Sequence, residues 1–168
     1  MKSAELKEIQ QPLKEQYKQD PEKALVTLKA SSRVGEGITC KVETGKAMVK
    51  AGLHPATGGD GLSVCSGDML LEALTACAGV TLSAVATAID FNLKDASIHA
   101  EGDLDFRGTL SVDKEAPVGF KNIRVSFELD TDEEQEKIDT LIKLTERFCV
   151  VYQTLATGND ISVSATKT

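Results

Sequence analysis

The chain opens with a helical pattern of apolar residues. One apolar stripe at spacings of three or four residues is formed by Leu6, Ile9, Leu13 and Tyr17. Pro12 interrupts this stripe, so we expect a kinked helix or two short helical pieces. Asp20 and Pro21 end the pattern. The sequence therefore predicts an N-terminal helical arm over residues 1–20 and one domain over residues 21–168.

Strand patterns follow the arm. The first run covers residues 24–31, the second alternates through Ile38, Cys40 and Val42, and the third covers residues 46–51. A loop rich in Pro and Gly over residues 54–61 separates them from a long apolar run, residues 70–89. Two further strands are predicted from apolar residues that share a face. These residues are Ile98, Ala100, Leu104 and Phe106 in one strand, and Ile123, Val125, Phe127 and Leu129 in the other.

The last part of the chain predicts two helices and a strand. Thr131 and Glu134 have the spacing of a capping box, which predicts a helix that begins there and runs to about Phe148. A second helical piece carries Cys149, Tyr152 and Leu155, and a last strand carries Ile161, Val163 and Ala165 on one face. The order of elements predicts an α+β fold with a mostly antiparallel sheet.

The long apolar run is long enough to span a bilayer, but its composition favours a buried core helix. Glu72 lies inside the run and Asp68 just before it, the small residues Ala, Thr, Ser and Gly dominate, and no Lys/Arg cluster flanks it. A helix that is apolar on all sides requires burial on all sides. One sheet in a chain of this size does not surround such a helix, so the run predicts a homodimer with an apolar interface.

Charge and cysteine content exclude several classes of protein. The 168 residues carry a formal net charge of -7, so we expect no nucleic-acid partner. The first residues have no apolar signal region, so we expect a cytoplasmic protein that does not enter the membrane. Four cysteines without a CxxC pair and two histidines favour neither a disulfide scaffold nor a zinc site. Of these cysteines, Cys40 is expected in the core and Cys65 in a loop.

Two sequence segments resemble the OsmC/Ohr family. "SGDMLLEALTACAGVTL" is similar to the central helix of that family, with Asp68 nine residues before Cys77. "ERFCVVYQTLATGNDISVSA" is similar to the segment that contains the second cysteine, here Cys149. The resemblance implies a swapped dimer of β3-α-β2-α2-β subunits with a buried central helix, to which this chain adds its helical arm.

The resemblance also implies a chemistry. Family peroxidases reduce organic hydroperoxides with two cysteines, without a metal or organic cofactor, and are peroxiredoxin-like in using an external dithiol as reductant. By position, Cys77 resembles the peroxidatic cysteine and Cys149 the resolving one. Arg33, in the turn after the first strand, resembles the family's arginine, and Asp68 stands at the place of the glutamate that orients it. A reactive buried cysteine requires a cation such as Arg33 nearby, because burial alone raises the pKa of a thiol and disfavours the thiolate.

Departures from the family pattern leave other functions open. Asp68 is shorter than the family's glutamate by one methylene, and Val150 stands where many members have proline. The alternatives are a non-catalytic dimer that binds an apolar small molecule and a thiol redox sensor. Cys65 is an alternative resolving thiol. If the Glu72 carboxylate is buried, it requires a cationic partner. We expect this partner to be Arg33, Arg107, Arg124 or Arg147, from either chain.

Overall fold

The computed structural model describes residues 3–34, 40–42 and 51–167. The helices in this part of the chain are α1 (Ser3–Gln19), α2 (Ser66–Ala88), α3 (Phe106–Thr109), α4 (Gln135–Phe148) and α5 (Val150–Thr157). The strands are β1 (Leu25–Val34), β2 (Cys40–Val42), β3 (Ala51–Gly52), β4 (Val64–Cys65), β5 (Asp95–Asp105) and β6 (Ile123–Asp130). Two 3-10 turns cover Pro21–Ala24 and Pro55–Thr57.

Four strands form one antiparallel sheet in the order β2-β1-β5-β6. The register pairs Leu25 with Asp105 between β1 and β5, and Asp95 with Asp130 between β5 and β6. The short strands β3 and β4 form a separate parallel pair. The predicted mixed fold with a mostly antiparallel sheet is therefore confirmed. Most of the third predicted strand, residues 46–50, and Ile38 of the second lie outside the described residues.

One face of the sheet and the helix α2 form the core. Along β5 the residues alternate between buried and half-buried, with Ala96, Ile98, Ala100 and Leu104 inside, as the predicted period of two requires. In β6 the predicted inward residues, Ile123, Val125, Phe127 and Leu129, are half-buried and alternate with exposed ones. Phe106 is buried as expected, but it begins α3 instead of continuing the strand.

Helix α2 crosses this sheet and also contacts α4 and α5. Leu71, Leu74 and Leu82 on its inner side are fully buried. Its outer side remains partly exposed at Met69 and Val80. Among the described residues, α2 is long and apolar enough to cross a membrane, and 50% of its most apolar window is buried inside the fold. This burial fits the predicted core helix.

The N-terminal arm forms one helix, so the predicted alternative of two short pieces is wrong. Pro12 lies inside α1 with an exposed side chain. The carbonyl that Pro12 leaves without a donor belongs to Glu8, whose side chain is also exposed, and solvent water can satisfy it. The arm packs on its own chain, where buried Tyr17 donates a 2.6 Å hydrogen bond to the carbonyl of Ala56.

The predicted capping box is also wrong. Helix α4 begins at Gln135, after an N-cap, Glu134, whose side chain makes no cap hydrogen bond. The Thr131 hydroxyl instead donates to the carbonyl of Asn92 at 2.7 Å and accepts from the backbone N–H of Glu133 at 3.2 Å. The Thr131 side chain, which the local pattern predicts as the helix cap, therefore bonds to a residue that is distant in sequence. The end of the helix at Phe148 is confirmed.

The predicted last strand is not formed in this single chain. Residues 158–167 have no regular secondary structure, and the side chains of Ile161 and Val163 are 85% and 91% exposed. An alternating segment becomes a strand only when a sheet edge pairs with its backbone. Gly158, which has a positive φ of 68°, ends α5 before this segment.

Candidate active site

Two of the four predicted site residues, Cys77 and Cys149, lie together between α2 and α5. Cys77 is near the middle of α2 and is half-buried, whereas Cys149 is 1% exposed. Cys149 is the N-cap of α5, where its sulfur accepts from the backbone N–H of Tyr152 at 3.5 Å. The two sulfurs influence each other's pKa, and both thiols are free in this structure. The packing of α5 on α2 therefore makes the two thiols neighbours.

The two thiols have opposite protonation tendencies. Burial raises the pKa of Cys77, but hydrogen bonds from the backbone N–H of Val151, the Cys149 thiol, the Thr81 hydroxyl and the backbone N–H of Val150 outweigh it, so the pKa is lowered overall. Burial and, after it, the neighbouring Cys77 sulfur raise the pKa of Cys149 to about 11, against the lowering effect of the backbone N–H groups of Tyr152 and Val151. Cys77 is therefore the more acidic thiol of the pair, and Cys149 is the more basic one.

A cavity of about 500 Å³ lies beside the pair. Cys149 lines it together with Leu74 and Ala78, which flank Cys77 on α2. The inward face of β6, Phe120 and the α5 residues Tyr152 and Leu155 supply most of the remaining wall, and Lys121 and Glu146 are its charged residues. The cavity beside Cys149 therefore combines apolar side chains with polar atoms and suits a molecule that carries both an apolar and a polar group.

Asp68 lies in the first turn of α2, where a carboxylate is favourable at a helix N-terminus. Burial raises its pKa, and the nearby ring of His54 lowers it. His54 stacks on Phe106 at 5.0 Å and accepts a 3.0 Å hydrogen bond from the backbone N–H of Ala56. A helix rises about 1.5 Å per residue with 3.6 residues per turn, so the nine residues to Cys77 place the two side chains about 13 Å apart along the axis and on opposite sides.

Arg33 lies at the end of β1, where its exposed guanidinium pairs with Asp95. The Nε atom donates to both carboxylate oxygens, at 2.9 and 3.3 Å. This contact raises the pKa of Arg33 and lowers that of Asp95. Within one chain, Arg33 pairs with Asp95 and Asp68 lies near His54, and neither residue is among the partners of the two thiols in the described residues.

Glu72 is half-buried on α2, and its pKa is raised by burial and by Asp68. The four arginines expected as its partners have other contacts. Arg33 pairs with Asp95, Arg107 with Asp105 and Asp113, Arg124 with Asp103 and Glu101, and Arg147 lies over the Phe148 ring.

Cys65 is the half-buried N-cap of α2, and its sulfur accepts from the backbone N–H of Gly67 at 3.4 Å. The described residues contain no group of three potential metal ligands.

Thr81 and the backbone donors of α5 did not emerge from the sequence patterns. Thr81 stands four residues after Cys77, so both side chains lie on one face of α2. That spacing is a local signal that could have identified it. The donors at Val150 and Val151 have no comparable signal, because they reach Cys77 only through the packing of α5 against α2.

Comparisons with known proteins agree with the fold described above. The chain is similar in fold to an OsmC-like hydroperoxide resistance protein from Jannaschia sp. CCS1, with 18% identity and a TM-score of 0.58 over 85% of this chain and 97% of the other. It is also similar to an organic hydroperoxide resistance protein OsmC from Legionella pneumophila, with 16% identity and a TM-score of 0.51 over 79% and 90%. No curated protein sequence matches the chain.

The family comparison covers both thiols. The model of the family described as "OsmC-like protein" matches residues 58–164, which include α2, the sheet strands β5 and β6, and both helices that follow. The match spans more than half of the chain, from the loop before α2 to the segment after α5. This chain therefore belongs to the OsmC-like protein family.

Proposed function

We propose that this protein is a cysteine-based peroxidase that reduces organic hydroperoxides through Cys77 and Cys149. The observation that carries the proposal is the contact between two thiols of opposite character. The pKa of Cys77 is lowered by donors around its sulfur, and the pKa of Cys149 is raised by burial. A peroxidase needs one thiolate to attack the peroxide and one nearby thiol to resolve the product.

The reaction balances with the groups that are present and an external dithiol. The Cys77 thiolate attacks the distal peroxide oxygen, the O–O bond breaks, and the alkoxide takes a proton to leave as the alcohol. Cys77 becomes a sulfenic acid, and the Cys149 sulfur displaces its hydroxyl as water to form the Cys77–Cys149 disulfide. An external dithiol then reduces this disulfide by thiol–disulfide exchange and is itself oxidised.

The cavity beside Cys149 supports the choice of organic hydroperoxides as substrates. Its walls are mainly aliphatic and aromatic side chains, among them Leu74, Phe127 and Leu155. Burial of an alkyl or aryl group there contributes about 25 cal/mol for each Å² of apolar surface removed from water. Hydrogen peroxide has no such surface, so we expect it to react more slowly.

The decisive experiment is stopped-flow oxidation of the reduced protein with cumene hydroperoxide and, in parallel, hydrogen peroxide. We expect fast oxidation that is selective for the organic peroxide and is abolished in Cys77→Ser. Cys149→Ser is expected to accumulate a sulfenic acid that dimedone labels, because the resolving thiol is gone. Cys65→Ser removes a half-buried thiol outside this pair and serves as the matched control. Unchanged turnover in Cys77→Ser would refute the proposal.

The functional roles of Arg33 and Asp68 also remain part of the proposal. Within one chain Arg33 pairs with Asp95 and Asp68 lies near His54, so a role of either residue at Cys77 requires a second chain or a rearrangement of these side chains. Arg33→Met and Asp68→Asn test these roles by the rate of Cys77 oxidation. Arg124 is also exposed on the sheet, where it pairs with Asp103, so Arg124→Met is the control for loss of a surface cation.

We also propose that the protein acts as a homodimer in which strands are exchanged. The exposed outer side of α2, with Met69 and Val80, and the exposed Ile161 and Val163 are apolar surfaces that a second copy would bury. Val80→Glu is expected to shift the protein towards the monomer in light scattering after size exclusion. Val118→Glu, at another exposed valine, is the control. A native chain that is monomeric at micromolar concentration would refute the dimer.

The same cavity favours one alternative function, an OsmC-like dimer that binds an apolar small molecule without chemistry. Slow oxidation, similar for both peroxides, together with a copurified apolar ligand in native mass spectrometry, would favour this alternative. Slow but specific oxidation of Cys77 without turnover would instead favour a thiol redox sensor. Stopped-flow oxidation, a turnover assay and native mass spectrometry of the wild type together therefore separate the three functions.

A further inference from the structure

Resting on the proposed function, we infer that Phe120 is a specificity-determining residue, whose ring sets the longest carbon chain that the cavity beside Cys149 accepts. Phe120 lies in the loop before β6, is half-buried against the core, and lines this cavity of about 500 Å³. The substrates that it selects are n-alkyl hydroperoxides of limited length, which carry a polar peroxide group at one end of an apolar chain.

The Phe120 ring occupies the space that a side chain on β5 would fill. Gly102 lies on the inner, buried face of β5, opposite Ile123 of β6. A Cβ atom at Gly102 would lie 2.5 Å from Cδ1 and 2.6 Å from Cε1 of the ring, which is far closer than carbon atoms pack. The ring therefore rests directly on the β5 backbone, near Ile123, which lines the same cavity.

Two backbone hydrogen bonds hold the segment that follows the ring. The N–H of Lys121 donates to the carbonyl of Asp103 at 2.9 Å, and the N–H of Asp103 donates to the carbonyl of Asn122 at 3.2 Å. Asp103 follows Gly102 on β5, so this segment is bonded to the strand on which the ring rests. These bonds keep Phe120 against the sheet and make it a constant part of the cavity wall.

The ring stands at one end of a row of apolar side chains. Ile123, Val125 and Phe127 of β6 line the cavity on alternate positions, along about 13 Å of strand at about 3.3 Å per residue. Phe120 stands at the Ile123 end of this row, because Ile123 is paired with Gly102. A carbon chain that lies along the row meets the ring there. Each methylene buried before that point favours binding by up to about fourfold, and one beyond it adds nothing.

The test is stopped-flow oxidation of the reduced protein by n-alkyl hydroperoxides of increasing length, from ethyl to decyl. For the wild type, we expect the second-order rate constant to rise with chain length and then to level off. Phe120→Ala removes the ring, so the constant should continue to rise and reach at least about tenfold above the wild type for the longest chain, as two further buried methylenes would give. Ethyl hydroperoxide is too short to meet the ring and should react equally with both proteins.

Phe91→Leu is the control for the loss of an aromatic ring from the core. Phe91 is buried but is not among the residues that line the cavity, so this variant should keep the length limit of the wild type. If Phe120→Ala does not fold, Phe120→Leu provides the same comparison with a matched substitution. An unchanged length limit in the Phe120 variant would overturn the inference, and so would an equal change in Phe91→Leu.

A stability cycle tests the contact between the ring and Gly102 without any peroxide. Gly102→Ala should lower the melting temperature, because its methyl group would meet the ring. The same substitution in the Phe120→Ala background should cost clearly less, because the ring is absent. Equal losses in the two backgrounds would show that the ring does not rest on Gly102 and would contradict the inference.

Failure of the proposed function would give a different result, in which no hydroperoxide of any length oxidises Cys77 of the wild type rapidly. The length limit is then measured with n-alkanols, which bind without reacting, by titration calorimetry. Phe120→Ala must again bind the longer chains more tightly than the wild type does, and equal affinities would overturn the role of Phe120.

Discussion

The two thiols of the site should differ strongly in reactivity in the reduced protein. The pKa of Cys149 is about 11, so about 0.1% of it is thiolate at pH 8. The pKa of Cys77 is lowered, so at least about a tenth of it is thiolate at the same pH. The thiolate populations therefore differ at least about a hundredfold in favour of Cys77.

Intrinsic nucleophilicity reduces this difference but does not cancel it. A more basic thiolate attacks faster, with a Brønsted coefficient of about 0.4–0.5, which returns up to about tenfold to Cys149 over two pKa units. We therefore expect iodoacetamide at pH 8 to label Cys77 at least about tenfold faster than Cys149. The burial of Cys149, which is 1% exposed, adds to this preference.

Peptide mass spectrometry over a time course measures both labelling rates in one sample. The denatured protein is the control, because unfolding removes the burial and the hydrogen bonds that separate the two thiols, and both should then react at similar rates. Labelling of Cys149 at or above the rate of Cys77 in the folded protein would refute the assignment of the thiolate to Cys77.

Three further predictions concern stability. Tyr17→Phe should lower the free energy of unfolding by about 1–2 kcal/mol in urea, because it leaves the Ala56 carbonyl without its donor; Tyr152→Phe is the control, and an equal loss there would contradict the reasoning. Arg107 lowers the pKa of buried Asp105, so this carboxylate contributes stability that is complete above the ordinary Asp pKa and is lost as pH falls through the lower folded pKa. Asp105→Asn should therefore weaken the dependence of the melting temperature on pH below about 4, and an unchanged acid profile would count against it. Gly59→Ala should lower the melting temperature, since its Cβ would lie 1.8 Å from the Leu53 carbonyl oxygen, whereas Gly119→Ala meets nothing within 4 Å and should not.

The sequence was sufficient for those parts of the fold that depend on local periodicity. The alternation in β5 and the apolar length of α2 predicted their burial, because side-chain direction along a strand or a helix follows directly from backbone geometry. The two thiols were identified through the family resemblance, which no periodicity could replace. Their contact is a property of how α5 packs on α2.

The predictions that failed depend on contacts between distant parts of the chain. The Thr131 hydroxyl bonds to the carbonyl of Asn92, which lies 39 residues away, and so does not cap α4. The segment with Ile161 and Val163 pairs with no described strand of this single chain, and both side chains are exposed. Pro12 is tolerated within α1 because it lies on the exposed side. For Thr131, the local sequence pattern does not contain the distant residue that its hydroxyl bonds. For Pro12, the pattern does not show whether its side of the helix faces solvent.

The arrangement of the two thiols also sets the order of the proposed reaction. In the reduced protein, the Cys77 thiolate is one of the causes that raise the pKa of Cys149, after burial. Cys149 therefore remains protonated and does not compete for the peroxide. Conversion of Cys77 to a sulfenic acid replaces that negative charge by a neutral group, which removes this cause and leaves the backbone donor at Tyr152 in place. We expect the pKa of Cys149 to fall towards the value that burial and the backbone donors set, so in the proposed reaction the second thiol becomes more nucleophilic once the first has reacted.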